Sequence, residues 1–443
     1  MNLQRSSSIP SRTQSRLTWL FVAALITLVF VLSVAGCQAR ESLQSDQATS
    51  VAVAATPTQA ATSSPTPTIE PTVALDLSSP DSDAIALPVE SEESGHAPRE
   101  QRLEIIGDLD EHAFNVGPPY HHIIVESVAA HGHHVVASEL INRRLYVIDV
   151  ADLERPTILG FEEWPNRYGL SVSEAIVHTG GPLVEVVDIS DPAAPHVISS
   201  IPGHEAVLEL VPNAKEELGV GWGNSLLDSL NGIGVVPFRK NGPLTRSGVR
   251  FIDFGDESHP KYRGYAFTNV PVADVDLHGN FAYVAAGQDG LMILDITDPD
   301  SPVELQRVQA PGRVISVASD GHRVAVGVAN YEHERDPEPD TWVVLMNVSN
   351  GQLRDVSRFA TQQPVVELAF AGDRLWVGTT SRNGYGHRWP PSELLVVDVS
   401  NPSSPNRVAG LQLEGALHDL ALLDDVAIVA RAQEGMSIVA VTP

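Results

Sequence analysis

LMILDITDPDSP, Leu291–Pro302, decides the fold, because the same phrase returns along the chain. Its first half is an unbroken apolar run, which suits a strand buried on both faces. Asp295 ends the run and Asp298-Pro299 turns the chain. Proline fixes φ and has no N–H to leave unpaired, while an aspartate carboxylate accepts backbone N–H groups within the turn. Pro302 then opens the next strand.

The phrase recurs as LYVIDVADLERP (Leu145–Pro156), VEVVDISDPAAP (Val184–Pro195), VRFIDFGDESHP (Val249–Pro260) and LLVVDVSNPSSP (Leu394–Pro405). A weaker copy is WVVLMNVSNGQL (Trp342–Leu353), and a truncated one, MSIVAVTP, ends at Pro443. The aspartate position of the seven copies falls at 149, 188, 253, 295, 347 (Asn), 398 and 440 (Ala), with intervals between 39 and 65. A period near forty in β-branched runs marks a repeated β-sheet unit. Upstream of each copy lies a hairpin, clearest in Val272–Ile296, where His278–Asn280 and Gln288–Gly290 separate three apolar runs. One unit is therefore three strands plus an outer fourth, which is a β-propeller blade.

The last copy has no outer strand of its own. Leu103–Asp110 (LEIIGDLD) reads like the outer strands that follow the other copies and stands alone before the first hairpin. It is expected to complete the final blade, so that no sheet is left one strand short. The expectation is an all-β fold, a seven-bladed β-propeller over 101–443; the irregular third unit leaves six or eight blades compatible with the pattern.

The L-x-I-[LV]-D-[IV]-[ST]-[DN]-P core resembles the LVIVD-repeat family of bacterial extracytoplasmic β-propellers, in register over Gln101–Pro443. The resemblance implies the fold and an extracytoplasmic setting; it implies no activity. The chain departs from the pattern at Asn347–Gly351, where Asp and Pro are both lost, and at Ala440.

The N-terminus reads as an export signal. Arg5, Arg12 and Arg16 precede the apolar stretch Leu17–Val34, and no acid occurs before Glu41. Val34-Ala35-Gly36-Cys37 matches a bacterial lipobox and holds the single cysteine of the chain. Residues 1–36 are read as a lipoprotein signal peptide with lipid attached at Cys37; an uncleaved signal anchor is the alternative, the stretch being about long enough to span a bilayer. Both place the rest of the protein outside the cytoplasm, with the basic end inside. Residues 37–100 are rich in Ser, Thr, Pro and Ala and read as a disordered tether. With one cysteine, no disulfide is available within the chain.

Net charge is −28, or −31 once the three arginines of the signal are removed. This argues against nucleic acid and against docking on anionic lipid beyond the anchor. It is compatible with a basic partner, or with solubility alone.

The repeat also sorts the loops. In a blade, the second-to-third turns and the crossings between blades share one rim; the first-to-second and third-to-fourth turns share the other. All large insertions are expected in second-to-third turns: Gly221–Gly248 in blade 3, Asn330–Asp340 in blade 5 and Thr380–Glu393 in blade 6. They bring Trp222, Arg239, Tyr331, His333, Arg335, Arg382, Tyr385, His387, Arg388 and Trp389 to one rim, the candidate binding surface. Trp, Tyr and Arg dominate interface energetics, and insertions on one face of a repeat protein are often its binding face, although loops also tolerate insertion without function.

No metal site and no cofactor are expected. His131 and His133 flank a hairpin turn, while His121 and His122 begin the inner strand at the other rim, and no known ligand spacing is met. The D-x-x-D-P turns lack the alternating acids and glycine of a calcium loop. No nucleophile elbow, phosphate loop or zinc-protease motif is present. The sequence thus points to a monomeric, membrane-tethered binding or scaffolding module for a protein or polysaccharide of the cell envelope. The alternative is a hydrolase or lyase on the same rim, for which Glu334, Asp336 and His387 would have to converge at the central channel.

Overall fold

Each copy of the repeated phrase forms the third strand of an antiparallel blade, four-stranded in six cases and five-stranded in blade 3, where the inner strand is split. The computed structural model describes residues 101–114, 123–163, 169–181, 183–202, 218–219, 227–240, 247–330, 340–349, 352–380 and 391–443. Blade 4 shows the plan. Its strands Asp274–His278, Phe281–Ala285, Leu291–Asp295 and Val303–Val308 pair in chain order. The third strand is buried along Leu291–Leu294, as its apolar run requires. Burying four such side chains contributes about 1.5–3 kcal/mol each, which makes this strand the anchor of the blade.

There are seven such sheets. The first strands touch one another all the way round, including the first strand of blade 7 (Asp419–Leu423) against that of blade 1 (Val125–His131), so the ring is closed. Closure follows the expected route. Arg102–Leu109 pairs antiparallel with Met436–Thr442 and supplies the outer strand of blade 7. Leu103 enters a core shared by blades 6 and 7, and Asp108 accepts Arg431 Nη2 at 2.7 Å and Ser437 Oγ at 2.6 Å. Each outer strand carries one register shift against its third strand. Such bulges increase the local twist.

The turn chemistry is regular. In blades 1, 2, 3, 4 and 6 the aspartate that ends the third strand accepts the backbone N–H two residues on, at 2.7–2.9 Å. The Asp or Asn three residues later does the same, at 3.1–3.3 Å. The Ser190 hydroxyl and then its amide hold the Asp188 carboxyl below the usual carboxylate range, and the Ser400 amide and then its hydroxyl do the same for Asp398. Blade 5 has lost the motif, and Asp340–Ser349 and Gln352–Thr361 instead form one long hairpin.

Blade 3 departs from expectation. Gly221–Gly248 is not a second-to-third insertion, because the second strand, Ile233–Lys240, runs through it and pairs with Ser247–Asp253. Its inner strand is split. Asp228–Leu230 pairs with Ile233–Val235, and Leu218–Gly219 pairs with Arg239 and Lys240. Gly234 and Pro237 interrupt the apolar run of the second strand, so its pattern reads as loop; Phe238 is nonetheless buried against Phe267.

Candidate functional site

The disc has two unlike rims. On one, the first-to-second hairpins and the paired aspartate turns are short and nearly uniform. His131 and His134 close the hairpin of blade 1 through Gly132, as ordinary turn residues. The second-to-third connections lie on the other rim and differ between blades. In blades 4 and 7 they are tight, ending in Gly290 and Gly435 with φ of 82° and 85°. A side chain there would also meet the carbonyl of Val308 or Leu109, so glycine is required twice over. In blade 1 the turn is held by Glu139, whose buried carboxylate accepts Ile124 N, Ile141 N and Asn142 N at 3.1, 2.8 and 2.6 Å. In blades 5 and 6 the chain leaves at Asn330 and Thr379 and returns at Asp340 and Ser392.

Of the residues expected to form the binding rim, Arg239 lies at the end of the second strand of blade 3, next to that rim. Trp222, Tyr331, His333, Arg335, Arg382, Tyr385, His387, Arg388 and Trp389 lie outside the described residues, as do Cys37, Glu334, Asp336, His121 and His122. The strand ends on either side of 331–339 and 381–390, Asn330 and Asp340, Thr379 and Ser392, lie on one rim.

The axis carries a second constellation, which the sequence reading missed. A first strand is the inner edge of its sheet, and its outward N–H groups have no ladder partner. Acids from neighbouring blades fill that role. Asp419 of blade 7 accepts Ser127 Oγ at 2.5 Å and Val128 N at 2.8 Å from blade 1. Asp274 of blade 4 accepts Val317 N of blade 5 at 2.9 Å, and Asp228 of blade 3 accepts Leu277 N of blade 4 at 2.6 Å. Glu367 of blade 6 occupies the position in its strand that Asp274 and Asp419 occupy in theirs, four residues before the hairpin. The signal was present: acids interrupt otherwise apolar inner runs in VADVDLH, VVELAFA and LHDLALL.

Burial and mutual repulsion act on these groups together. Loss of solvent pushes Asp274, Asp276 and Glu367 well above the usual carboxylate range, and the like charges of neighbouring acids push further. Asp228 is pushed up to about 6 by burial, against the pull of the Leu277 and Ser229 amides. Toward the rim with the long connections, His418 Nδ1 lies 2.9 Å from Glu126 Oε2. Between blades 2 and 3, His178 stacks on Phe254 with ring centroids 3.9 Å apart, and its Nδ1 is 2.8 Å from Ser229 Oγ. Burial lowers the His178 imidazole to about 4, so it is neutral at pH 7. Its Nε2 has no partner, so no third group orients it as a base toward the serine. Among the described residues, no group of three His, Cys, Asp or Glu is placed to hold a metal ion.

Seven antiparallel blades closed by an N-terminal strand, with paired aspartate turns on one rim, define a repeat propeller. The LVIVD-repeat pattern matches three stretches of the chain, residues 177–201, 271–310 and 391–410. Solved structures with similar chain traces include the computationally designed Ika8 protein, 13% identical, TM-score 0.46, covering 72% of this chain and 96% of that one. Sqt1 of Saccharomyces cerevisiae is 11% identical with a TM-score of 0.47, over 73% of this chain and 97% of its own. A functionally unknown protein from Desulfotomaculum acetoxidans DSM 771 is 15% identical with a TM-score of 0.47, over 72% and 90%. At these scores the three likenesses add nothing to the fold derived above. No curated protein matches the sequence.

Proposed function

We propose that this protein is a membrane-tethered extracytoplasmic module that binds or scaffolds a partner through the rim of its propeller. The LVIVD repeats and the closed ring support a binding or scaffolding module. The lipobox at Cys37 and the Pro/Ser/Thr-rich segment behind it support the tether. One observation carries the assignment of the surface. The strands that bound the longest connections of blades 5 and 6 end on the same rim, while the opposite rim is capped by short turns of one kind. The sequences of those connections, YEHERDPEP and SRNGYGHRWP, supply aromatic side chains and arginine within a chain of net charge −28. Such side chains bury peptide groups or stack on sugar rings, so the partner class is a protein or polysaccharide of the envelope.

A second reading is a hydrolase or lyase acting at the same rim. It draws on the His418–Glu126 pair at the mouth of the axis. One experiment separates the two. The propeller Gln101–Pro443 is immobilised and challenged with solubilised envelope protein and with envelope polysaccharide. Retention by the wild-type ring and its loss in an Arg388→Ala, Trp389→Ala variant is the expected result. Equal retention by both rings overturns the rim assignment. Chain shortening of the retained polymer or peptide, abolished by Glu126→Gln, would favour the enzyme.

A further inference from the structure

Three seams between blades are pinned at the axis by a carboxylate: Asp228 between blades 3 and 4, Asp274 between 4 and 5, and Asp419 between 7 and 1. Asp276 and Glu367 stand among them. The ion pairs of the described residues include none of Asp228, Asp274, Asp276 and Glu367. Three polar atoms of this region are buried without any partner: Ser316 Oγ, on a fully buried residue one position before the amide that Asp274 accepts; Tyr283 Oη, on the strand position opposite Asp276; and Asp276 Oδ2. A buried carboxylate oxygen with neither cation nor donor is the costliest state a carboxyl can take. A proton removes that cost, because the neutral acid keeps its acceptor oxygen and loses its charge.

We propose that the propeller axis is a proton-loaded lock. The ring closes with the carboxyl groups of Asp274, Asp276 and Glu367 protonated, and a rise in pH loosens the seams by forcing like charges into them.

The groups that bear on the cluster are few. Asp228, Asp419 and Glu126 add negative charge from the inner strands of blades 3, 7 and 1. Asp320, next to the inner strand of blade 5, acts on Asp276 but is itself paired to Arg323 at 2.6 Å. Tyr283, from the second strand of blade 4, lies opposite Asp276. His418 is engaged with Glu126, and His131, His278 and Arg313 are the remaining titratable or charged residues on the inner strands. The inner strand of blade 2, GLSVS, carries no charge.

The sign follows from linkage. Unfolded, these acids titrate at ordinary values; folded, they hold protons to higher pH. The folded state therefore binds more protons between the two values, and stability is lost as pH rises through the folded ones. Each extra proton changes the folding constant about tenfold per pH unit within that window.

The test is urea unfolding of the full chain between pH 7 and 9, above the titration of His178. The wild type is expected to lose about tenfold or more in folding constant per pH unit. Glu367→Gln and Asp276→Asn, near-isosteric and uncharged, are expected to flatten that slope and to unfold at higher urea than wild type at pH 9. A flat wild-type profile, or variants with an undiminished slope, overturns the lock. Where a variant does not fold, infrared spectroscopy of the wild type decides. A protonated-carboxyl band at pH 7 that vanishes toward pH 9 upholds the proposal, and no such band at pH 7 overturns it.

Discussion

Replacing Leu103 by alanine tests whether an N-terminal strand closes the ring. Leu103 is 4% exposed and packs with Trp376, Leu394, Leu413, Leu417 and Val439. Removing its three carbons beyond Cβ forfeits about 2 kcal/mol of transfer energy. A cavity term adds to this, because the walls belong to strands fixed in two different sheets and cannot collapse onto the gap. The expected cost is about 3 kcal/mol, within the range of about 2–5 kcal/mol for buried Leu→Ala changes. Two controls calibrate it. Leu413→Ala removes a side chain from the same cluster on the outer strand of blade 6, 2% exposed, and is expected to cost a similar amount. Ile105→Ala lies on the closing strand itself but is 45% exposed, and is expected to cost less than about 1 kcal/mol. The assay is urea unfolding of Gln101–Pro443, monitored by tryptophan fluorescence and circular dichroism. One cooperative transition that shifts with Leu103→Ala as it does with Leu413→Ala supports closure. A Leu103→Ala ring that unfolds like Ile105→Ala would refute it, since the strand would then be an appendage.

Two further outcomes are expected. His178 is buried and neutral, with a folded value of about 4 against 6.5 unfolded, so the unfolded state binds more protons between these values. The stability this group contributes is present above pH 6.5 and lost as pH falls toward 4. His178→Asn should therefore gain on the wild type by about 3 kcal/mol across that window, and a difference that does not change with pH would show the imidazole to be solvated. Arg323 ties blade 5 to blade 6 where blade 5 lacks its aspartate turn: its guanidinium meets Asp320 at 2.6 Å, Gly372 O at 2.6 Å and Val399 O at 2.8 Å. Arg323→Met leaves those acceptors without their donor and should cost about 3 kcal/mol in urea unfolding; a loss under about 1 kcal/mol would show that the tie is solvent-screened.

Much of the architecture was legible because turn chemistry is local. Asp295, Asp298, Pro299 and Pro302 act on amides two or three residues away, and their recurrence placed the third and outer strands directly. The closing strand was legible by count, since the last copy lacked an outer partner and Leu103–Asp110 had none of its own. Blade 3 was misread for an equally local reason. Gly234 and Pro237 break the apolar pattern of a strand that its neighbours hold in place.

The sequence by itself determined the repeat, the paired aspartate turns and the need for a supplied closing strand, because each depends on residues near one another in the chain or on how many copies there are. Only the tertiary structure decided that Asp419 would meet Ser127 and that Asp228, Asp274, Asp276 and Glu367 would share one buried axis. Those encounters join residues tens to hundreds of positions apart, and the strength of a charge depends on how little water the assembled blades leave around it.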